Sequence, residues 1–200
     1  WNHLCSNGSK TPNFIGSFSH NKEHWIILED LDVKYPLRKQ EVSLEELKNC
    51  LQWLAQFHGK FMGAAPKGLW QIGSYWHLDT RPEELHKISD PKIKAKAANI
   101  DEVLNKAKYQ TIIHGDAKLA NFCFSEDSKS IAAVDFQYVG GGCGMKDVAY
   151  FLGSCLSSSD LETHQEELLD FYFSQLKAAL KSHSKDTINP QELESEWREL

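Results

Sequence analysis

The stretch Ile112-Ile113-His114-Gly115-Asp116-Ala117-Lys118-Leu119-Ala120-Asn121-Phe122-Cys123-Phe124 decides the fold, together with Ile131-Ala132-Ala133-Val134-Asp135-Phe136-Gln137, which follows a polar turn. An apolar run of strand character delivers an acid on a short loop. An asparagine stands five positions after that acid. A hairpin then brings a second acid to the end of another apolar strand. The interval from Asp116 to Asp135 is just long enough for strand, turn and return strand, so Asp116, Asn121 and Asp135 are expected to converge. Flanking residues Ile112, Ile113, Phe122, Phe124, Ile131 and Val134 supply a rigid apolar frame for loop acids.

Such a set suits the placement of a base and a divalent metal beside a phosphate chain. Phosphoryl transfer to a hydroxyl needs a carboxylate to orient the hydroxyl and take its proton, oxygen ligands for magnesium, and a cation for the developing charge. Magnesium prefers one or two carboxylates or amides, completed by phosphates and water.

Working outward, Phe14–Phe18 and His24–Glu29 read as a hairpin around Ser19-His20-Asn21-Lys22, and Glu29-Asp30-Leu31-Asp32 reads as a connector between lobes. Ser43 and Glu46 form a capping box. It opens a helix whose stripe is Leu44, Leu47, Leu51, Leu54, His58 and Phe61. His58, on that stripe, is expected to be buried and hydrogen-bonded to backbone. Residues 63–81 form a loop carrying Trp70, Tyr75 and Trp76, for which packing down is the default and lining a pocket the alternative. Pro82 starts one helical stretch and Asp90-Pro91 restarts it, with Ile93, Ala97, Ile100, Val103, Leu104 and Ala107 as its pattern. Gly140–Gly144 reads as a flexible segment. Met145–Leu156 reads as a buried helix with Asp147 in its first turn. Ser159 or Asp160 is expected to cap a long helix to about residue 181, and Asn189-Pro190 caps a last one bearing Leu193, Trp197 and Leu200.

The composition is ordinary for a globular chain: 200 residues, 41% hydrophobic, 25% charged. A net charge of −6 without any Lys/Arg block argues against nucleic-acid binding. No apolar run approaches the length of a membrane span, and the first residues have no signal-peptide pattern. The five cysteines, Cys5, Cys50, Cys123, Cys143 and Cys155, lack C-x-x-C spacing. They read as reduced thiols of a cytoplasmic protein rather than as a disulfide framework or zinc site. The chain starts on Trp1 and stops inside a helical pattern, which reads as a fragment of a longer protein.

His114-Gly115-Asp116-x-Lys118-x-x-Asn121 followed by Asp135-Phe136-Gln137 resembles the motif pair of the kinase-like small-molecule phosphotransferases. These include aminoglycoside phosphotransferases, choline kinases and ecdysteroid-kinase-like enzymes. The Gln after Asp-Phe makes the last group look most similar. Protein kinases have Arg in place of Gly115 and Gly in place of Gln137. The resemblance covers roughly residues 13–175.

It implies an α+β, protein-kinase-like fold, here mainly the helical C-terminal lobe with its catalytic hairpin. Residues 1–32 would be the end of the N-terminal lobe and the hinge, and 33–200 the catalytic and acceptor-binding lobe. It implies ATP and Mg2+ as cofactors and a small-molecule hydroxyl as acceptor. Asp116 would be the catalytic base, Asn121 and Asp135 the magnesium ligands, and Lys118 a cation facing the transferred group. His114 and Asp147 would fix the catalytic loop. Leu28, Glu29, Asp30 and Leu31 would hold the adenine through backbone groups. Trp70, Tyr75 and Trp76 would wall the acceptor pocket by stacking or cation–π contact.

The sequence departs from that pattern upstream. It has no glycine-rich loop, no strand lysine and no helix glutamate to pair with one, and Lys10 and Lys22 lie among turn formers. This keeps two rivals in view. A non-catalytic kinase-like binding or scaffold module predicts no stabilisation by Mg-ATP. A metal-dependent hydrolase using His114, Asp116 and Asp135 predicts phosphatase activity without ATP.

Overall fold

A computed structural model describes residues 8–200. Cys5 lies outside the described residues. Cys50, Cys123, Cys143 and Cys155 are unpaired thiols.

The core forms around one helix, α1 (Leu44–Phe61), which packs along α5 (Ser158–Ser182). The expected capping box is present: the Ser43 hydroxyl accepts from the Glu46 amide and the Glu46 carboxylate accepts from the Ser43 amide. Leu47, Leu51 and Leu54 are buried as the stripe requires. The buried face is wider than that stripe, taking in Cys50, Trp53 and Phe57, because α1 has neighbours on more than one side. Trp53 stacks on Phe57 at 5.2 Å and meets Phe122 edge-on at 5.8 Å, which joins the helix to a buried hairpin.

That hairpin is β4 (Phe122–Phe124) against β5 (Ile131–Ala133), antiparallel, with Phe122 opposite Ala133. Both strands are fully buried, so their apolar runs are continuous rather than alternating. The preceding strand β3 (Thr111–Ile113) pairs antiparallel with β6 (Gly140–Gly142). The glycine run is therefore an ordered strand and not a flexible segment. Glycine is needed there for close approach. A Cβ on Gly140 would lie 2.3 Å from the Trp70 carbonyl oxygen, and one on Gly141 would lie 2.8 Å from that of Gln71.

The N-terminal hairpin, β1 (Phe14–His20) and β2 (Glu23–Leu28), exposes both of its faces, including Trp25 and Ile26. Leu31, just after it, is buried with Cys123 and Ala132, which anchors the segment following β2 to the β4–β5 hairpin.

Three more helices complete the fold: α2 (Pro82–Lys87), α3 (Pro91–Lys106, capped by Asp90) and α6 (Pro190–Glu199, capped by Asn189). A further helix, α4 (Met145–Cys155), leads into α5. Ser157, not Ser159 or Asp160, caps α5. α4 ends at Cys155, so the chain re-enters helix almost at once, and a run of three serines offers no local basis for choosing among them. Only one face of α4 is buried, through Asp147, Val148, Phe151 and Leu152. No residue of α3 is buried, and Ile93, Ile100 and Val103 of its apolar stripe are exposed. Among the described residues no helix is long and apolar enough to cross a membrane.

Candidate active site

β3 delivers His114 into the core, where it is fully buried. Its Nε2 lies 2.9 Å from the Val134 carbonyl oxygen and its Nδ1 accepts from the Asp116 amide at 3.3 Å. This pairing assigns the proton to Nε2. Burial pushes the imidazole below its ordinary value, against the nearby carboxylate charges, so the ring is neutral. His114 thus locks β3 to β5 and does no visible chemistry.

Gly115 turns the chain at φ +82°, and a Cβ there would lie 2.3 Å from the Tyr138 carbonyl oxygen. The amides of His114 and Gly115 both donate to Asp147, at 2.7 and 2.9 Å. Asp147 stands in the first turn of α4 and is buried. Burial opposes its charge, but hydrogen bonds from His58 and from the Gly115 amide hold its carboxyl below the usual carboxylate range. His58 meets Asp147 through Nε2 at 3.0 Å and the Tyr172 hydroxyl through Nδ1 at 2.8 Å. The expected burial of His58 is present, but its partners are side chains, not backbone. Those partners come from α4 and α5, far away in sequence.

Asp116 is 1% exposed. Its Oδ2 accepts from Lys118 Nζ at 2.9 Å and from Asn121 Nδ2 at 3.0 Å. Its Oδ1 is buried and has no partner among the described residues. The Lys118 ammonium is held above its ordinary value, chiefly by the Asp116 hydrogen bond, and half-exposed it stays charged. Asn121 ends a short 3-10 turn, Leu119–Asn121, and its Nδ2 also donates to the Asp116 carbonyl at 2.8 Å. The amide nitrogen is committed to Asp116, which leaves Oδ1 as the outward ligand atom.

Asp135 is brought to the same place by hairpin register: the Val134 amide donates to the Asn121 carbonyl at 3.0 Å, one residue before it. Asp135 is exposed, adopts φ +64°, and its charge bears on both Lys118 and His114. A non-glycine residue in the left-handed region costs roughly 1 kcal/mol, and such outliers collect at working sites. Asp116 and Asn121 are thus hydrogen-bonded to each other within one buried loop, and Asp135 follows the strand end that bonds to that loop. Asn121 Oδ1 and the Asp135 carboxylate are hard oxygen donors, the set magnesium takes alongside phosphate and water.

The residues expected at the hinge occupy mixed settings. Hydrogen bonds from Lys10 (2.5 Å) and the Asn13 amide hold the Glu29 carboxyl below its ordinary range. Asp30 accepts from the Asp32 amide, and the Leu31 carbonyl accepts from Lys34 and Tyr35. Lys10, expected in a turn, instead bridges to Ala132 beside β5.

The three aromatics do not share one wall: Tyr75 and Trp76 meet edge-on at 5.5 Å, but of the three only Trp76 lines the adjoining cavity. Trp76 is 46% exposed and lines a cavity of about 400 Å³. Trp70 is 58% exposed and lies outside that cavity, with its indole N–H on the Gln137 carbonyl. Tyr75 donates its amide to the Gly115 carbonyl, and its ring carries the Arg81 guanidinium at 4.2 Å, so that cation–π face is already taken.

The cavity has Gly115 and Asp147 in its lining and Ile93, Ala97, Ile100 and Leu104 of α3 along one wall. Tyr150, on another wall, feels the Asp116 and Lys118 charges; burial, with the Asp116 charge, raises its phenol above the ordinary range. Sequence reasoning missed Tyr150, Met145 and Lys146; it expected the acceptor pocket between residues 63 and 110 together with the C-terminal helices, but gave the α3 stripe only as a helical pattern. The available signal was an apolar face on a helix in the region assigned to the acceptor.

Comparison with known proteins agrees with this architecture. The aminoglycoside phosphotransferase APH(3'')-Id from Streptomyces rimosus superposes with a TM-score of 0.57 at 13% identity, over 89% of this chain and 75% of that one. An aminoglycoside-3'-phosphotransferase of type VIII superposes with a TM-score of 0.50 at 14% identity, over 98% of this chain and 74% of that one. At such identities the likeness shows the protein-kinase-like fold alone. No curated protein sequence matches. The ecdysteroid kinase-like family matches residues 70–184, a span that contains His114, Asp116, Lys118, Asn121, Asp135 and Asp147. The match takes in more than half of the chain, and the chain belongs to the ecdysteroid kinase-like family.

Proposed function

We propose that the protein transfers the γ-phosphoryl group of ATP to a hydroxyl of a small, largely apolar alcohol. One observation carries this reading: Asp116 Oδ1, a buried carboxylate oxygen without a partner among the described residues. An unsatisfied buried acceptor costs about 1–3 kcal/mol, so a site that keeps one gains from a donor that arrives later. A substrate hydroxyl is such a donor. Lys118 and Asn121 fix the other carboxylate oxygen, so the vacant lone pair has a defined direction.

In the step, Asp116 Oδ1 takes the hydroxyl proton as the alcohol oxygen forms its bond to phosphorus. The bond from phosphorus to the bridging oxygen breaks, and ADP leaves with that electron pair. Lys118 stays protonated and screens the transferred group. Asn121 Oδ1 and Asp135 would hold magnesium, whose charge neutralises the phosphate oxygens when it is bound. The Leu28–Leu31 segment would seat the adenine through backbone groups, since the Glu29 and Leu31 side chains are committed elsewhere.

The acceptor would enter the cavity beside Gly115. Trp76, Leu78, Ile93, Ile100, Leu104 and Met145 give it apolar walls. Such walls favour a neutral polycyclic alcohol, the kind of compound the family's name contains, over a polycationic aminoglycoside.

The test is ADP release from Mg-ATP with hydroxysteroids offered as acceptors. Asp116→Ala is expected to lower turnover by about two to four orders of magnitude, the usual weight of a general base. The reading fails if turnover survives the substitution. It also fails if Mg-ATP leaves the melting temperature of the wild-type protein unchanged.

A further inference from the structure

The cavity described above is mainly apolar, and Lys146 is the one basic side chain among its described lining residues, which also include Asp101, Asp147, Ser74 and Tyr150. Lys146, in the first turn of α4, lines it and points towards α3. Its Nζ donates to Asn105 Oδ1 at 2.6 Å, and Asn105 Nδ2 donates in turn to Asp101 Oδ2 at 3.0 Å. Asp101 lines the same cavity. An ammonium has three N–H donors. The Asn105 bond uses one, and the structure gives Lys146 no second acceptor among the described residues. Burial lowers the Lys146 ammonium below its ordinary value, while the charges of Asp101, Cys143 and Asp147 oppose that.

A lysine serving only to tie α4 to α3 could do so from the outer surface. This one spends its length inside a pocket of Ile93, Ala97, Ile100 and Leu104, with donors left over. Asp147 offers it no acceptor, because both carboxylate oxygens are committed to the catalytic-loop amides and His58. Asp116, where the reacting hydroxyl would sit, stands beside Tyr150 instead.

We infer that Lys146 is a specificity-determining residue that donates to a second oxygen of the acceptor. The substrate class is then an apolar alcohol that also carries a ketone, carboxylate or hydroxyl acceptor reaching the α3 wall. This inference rests on the phosphotransferase reading for the identity of the pocket, but binding can be measured without nucleotide or turnover.

The experiment is equilibrium dialysis of two labelled probes on one ring skeleton: epiandrosterone, with a hydroxyl and a ketone, and androstanol, with the hydroxyl alone. Wild-type protein is expected to bind epiandrosterone on the order of tenfold more tightly, the weight of one hydrogen bond to a charged group. Lys146→Met should abolish that preference and leave androstanol affinity unchanged, while Lys146→Arg should retain it. Equal affinities in the wild type overturn the inference without any variant, as does a preference that survives Lys146→Met. A Lys146→Met loss shared equally by both probes also overturns it, since that is the signature of a strut between helices. Lys146→Ala repeats the test should the methionine variant not fold. If neither probe binds, the anchor is wrong, while Asp116-dependent ADP release with another acceptor would leave the phosphotransferase reading standing.

Discussion

At the scale of single residues, the catalytic loop is defined by groups with no spare freedom. His114 shows this most directly. Its ring is fully buried and bonded at both nitrogens, and it lies 4.5 Å from the Phe136 ring. Protonation would place a second hydrogen on Nδ1, opposed to the Asp116 amide. The native state therefore binds this proton more weakly than the unfolded chain, which takes it up near pH 6.5. His114 contributes its full stability above that value and loses it progressively as pH falls towards the depressed native pKa. Urea midpoints followed from pH 8 to pH 5 should therefore fall in the acid range. His114→Gln should be less stable at pH 8 but lose less between the two ends. His183 is also depressed and present in both proteins, so the difference between the curves isolates His114. A variant curve parallel to the wild-type curve would contradict this assignment.

The same scale explains what the sequence disclosed. Asp116, Lys118 and Asn121 lie within six residues and their hydrogen bonds are local, so their proximity is legible from spacing alone. The position of Asp135 after β5 is legible for the same reason, because a short hairpin is also a local object. The partners of His58 were not legible, because Asp147 and Tyr172 are 89 and 114 residues away.

At the scale of elements, periodicity located every long helix but not what each helix faces. α3 has a sound apolar stripe, yet that stripe borders a cavity instead of the core. A hydrophobic pattern reports a preference for leaving water, and a pocket that accepts an apolar ligand has the same pattern as packing. Glycine is ambiguous in a similar way. Gly140–Gly142 suits either a hinge or a close backbone approach, and only the non-local partners, β3 and residues 70–73, decide between them. Gly141→Ala is expected to destabilise the protein by about 1–3 kcal/mol, the range for overpacking a tight site. The same change at Gly153, which has open space around its Cβ and lies inside α4, should be neutral or slightly stabilising. Thermal melts of the two variants make the comparison, and equal melting temperatures would restore the flexible-segment reading of the glycine run.

At the scale of the molecule, one buried polar cluster connects four separate parts of the chain. His58 belongs to α1, Asp147 to α4 and Tyr172 to α5, while the amides of His114 and Gly115 belong to the catalytic loop. The surrounding core is apolar, so these groups satisfy one another or remain unsatisfied at full desolvation cost. The two ends of the cluster should respond unequally. Tyr172→Phe removes one hydroxyl and leaves one nitrogen of His58 without its partner, a loss of about 1 kcal/mol. His58→Leu removes a hydrogen-bond partner of the buried Asp147 carboxylate, and losing a hydrogen bond to a charged group costs about 1.5–3 kcal/mol. Asp147 holds both catalytic-loop amides, so the histidine variant should also lose ADP release at temperatures where it remains folded. Tyr172→Phe should retain most of that activity. Urea unfolding at pH 7 together with ADP release decides the matter. Two variants of similar stability would mean that the cluster is four independent contacts, and that the helices do not hold the catalytic loop through Asp147.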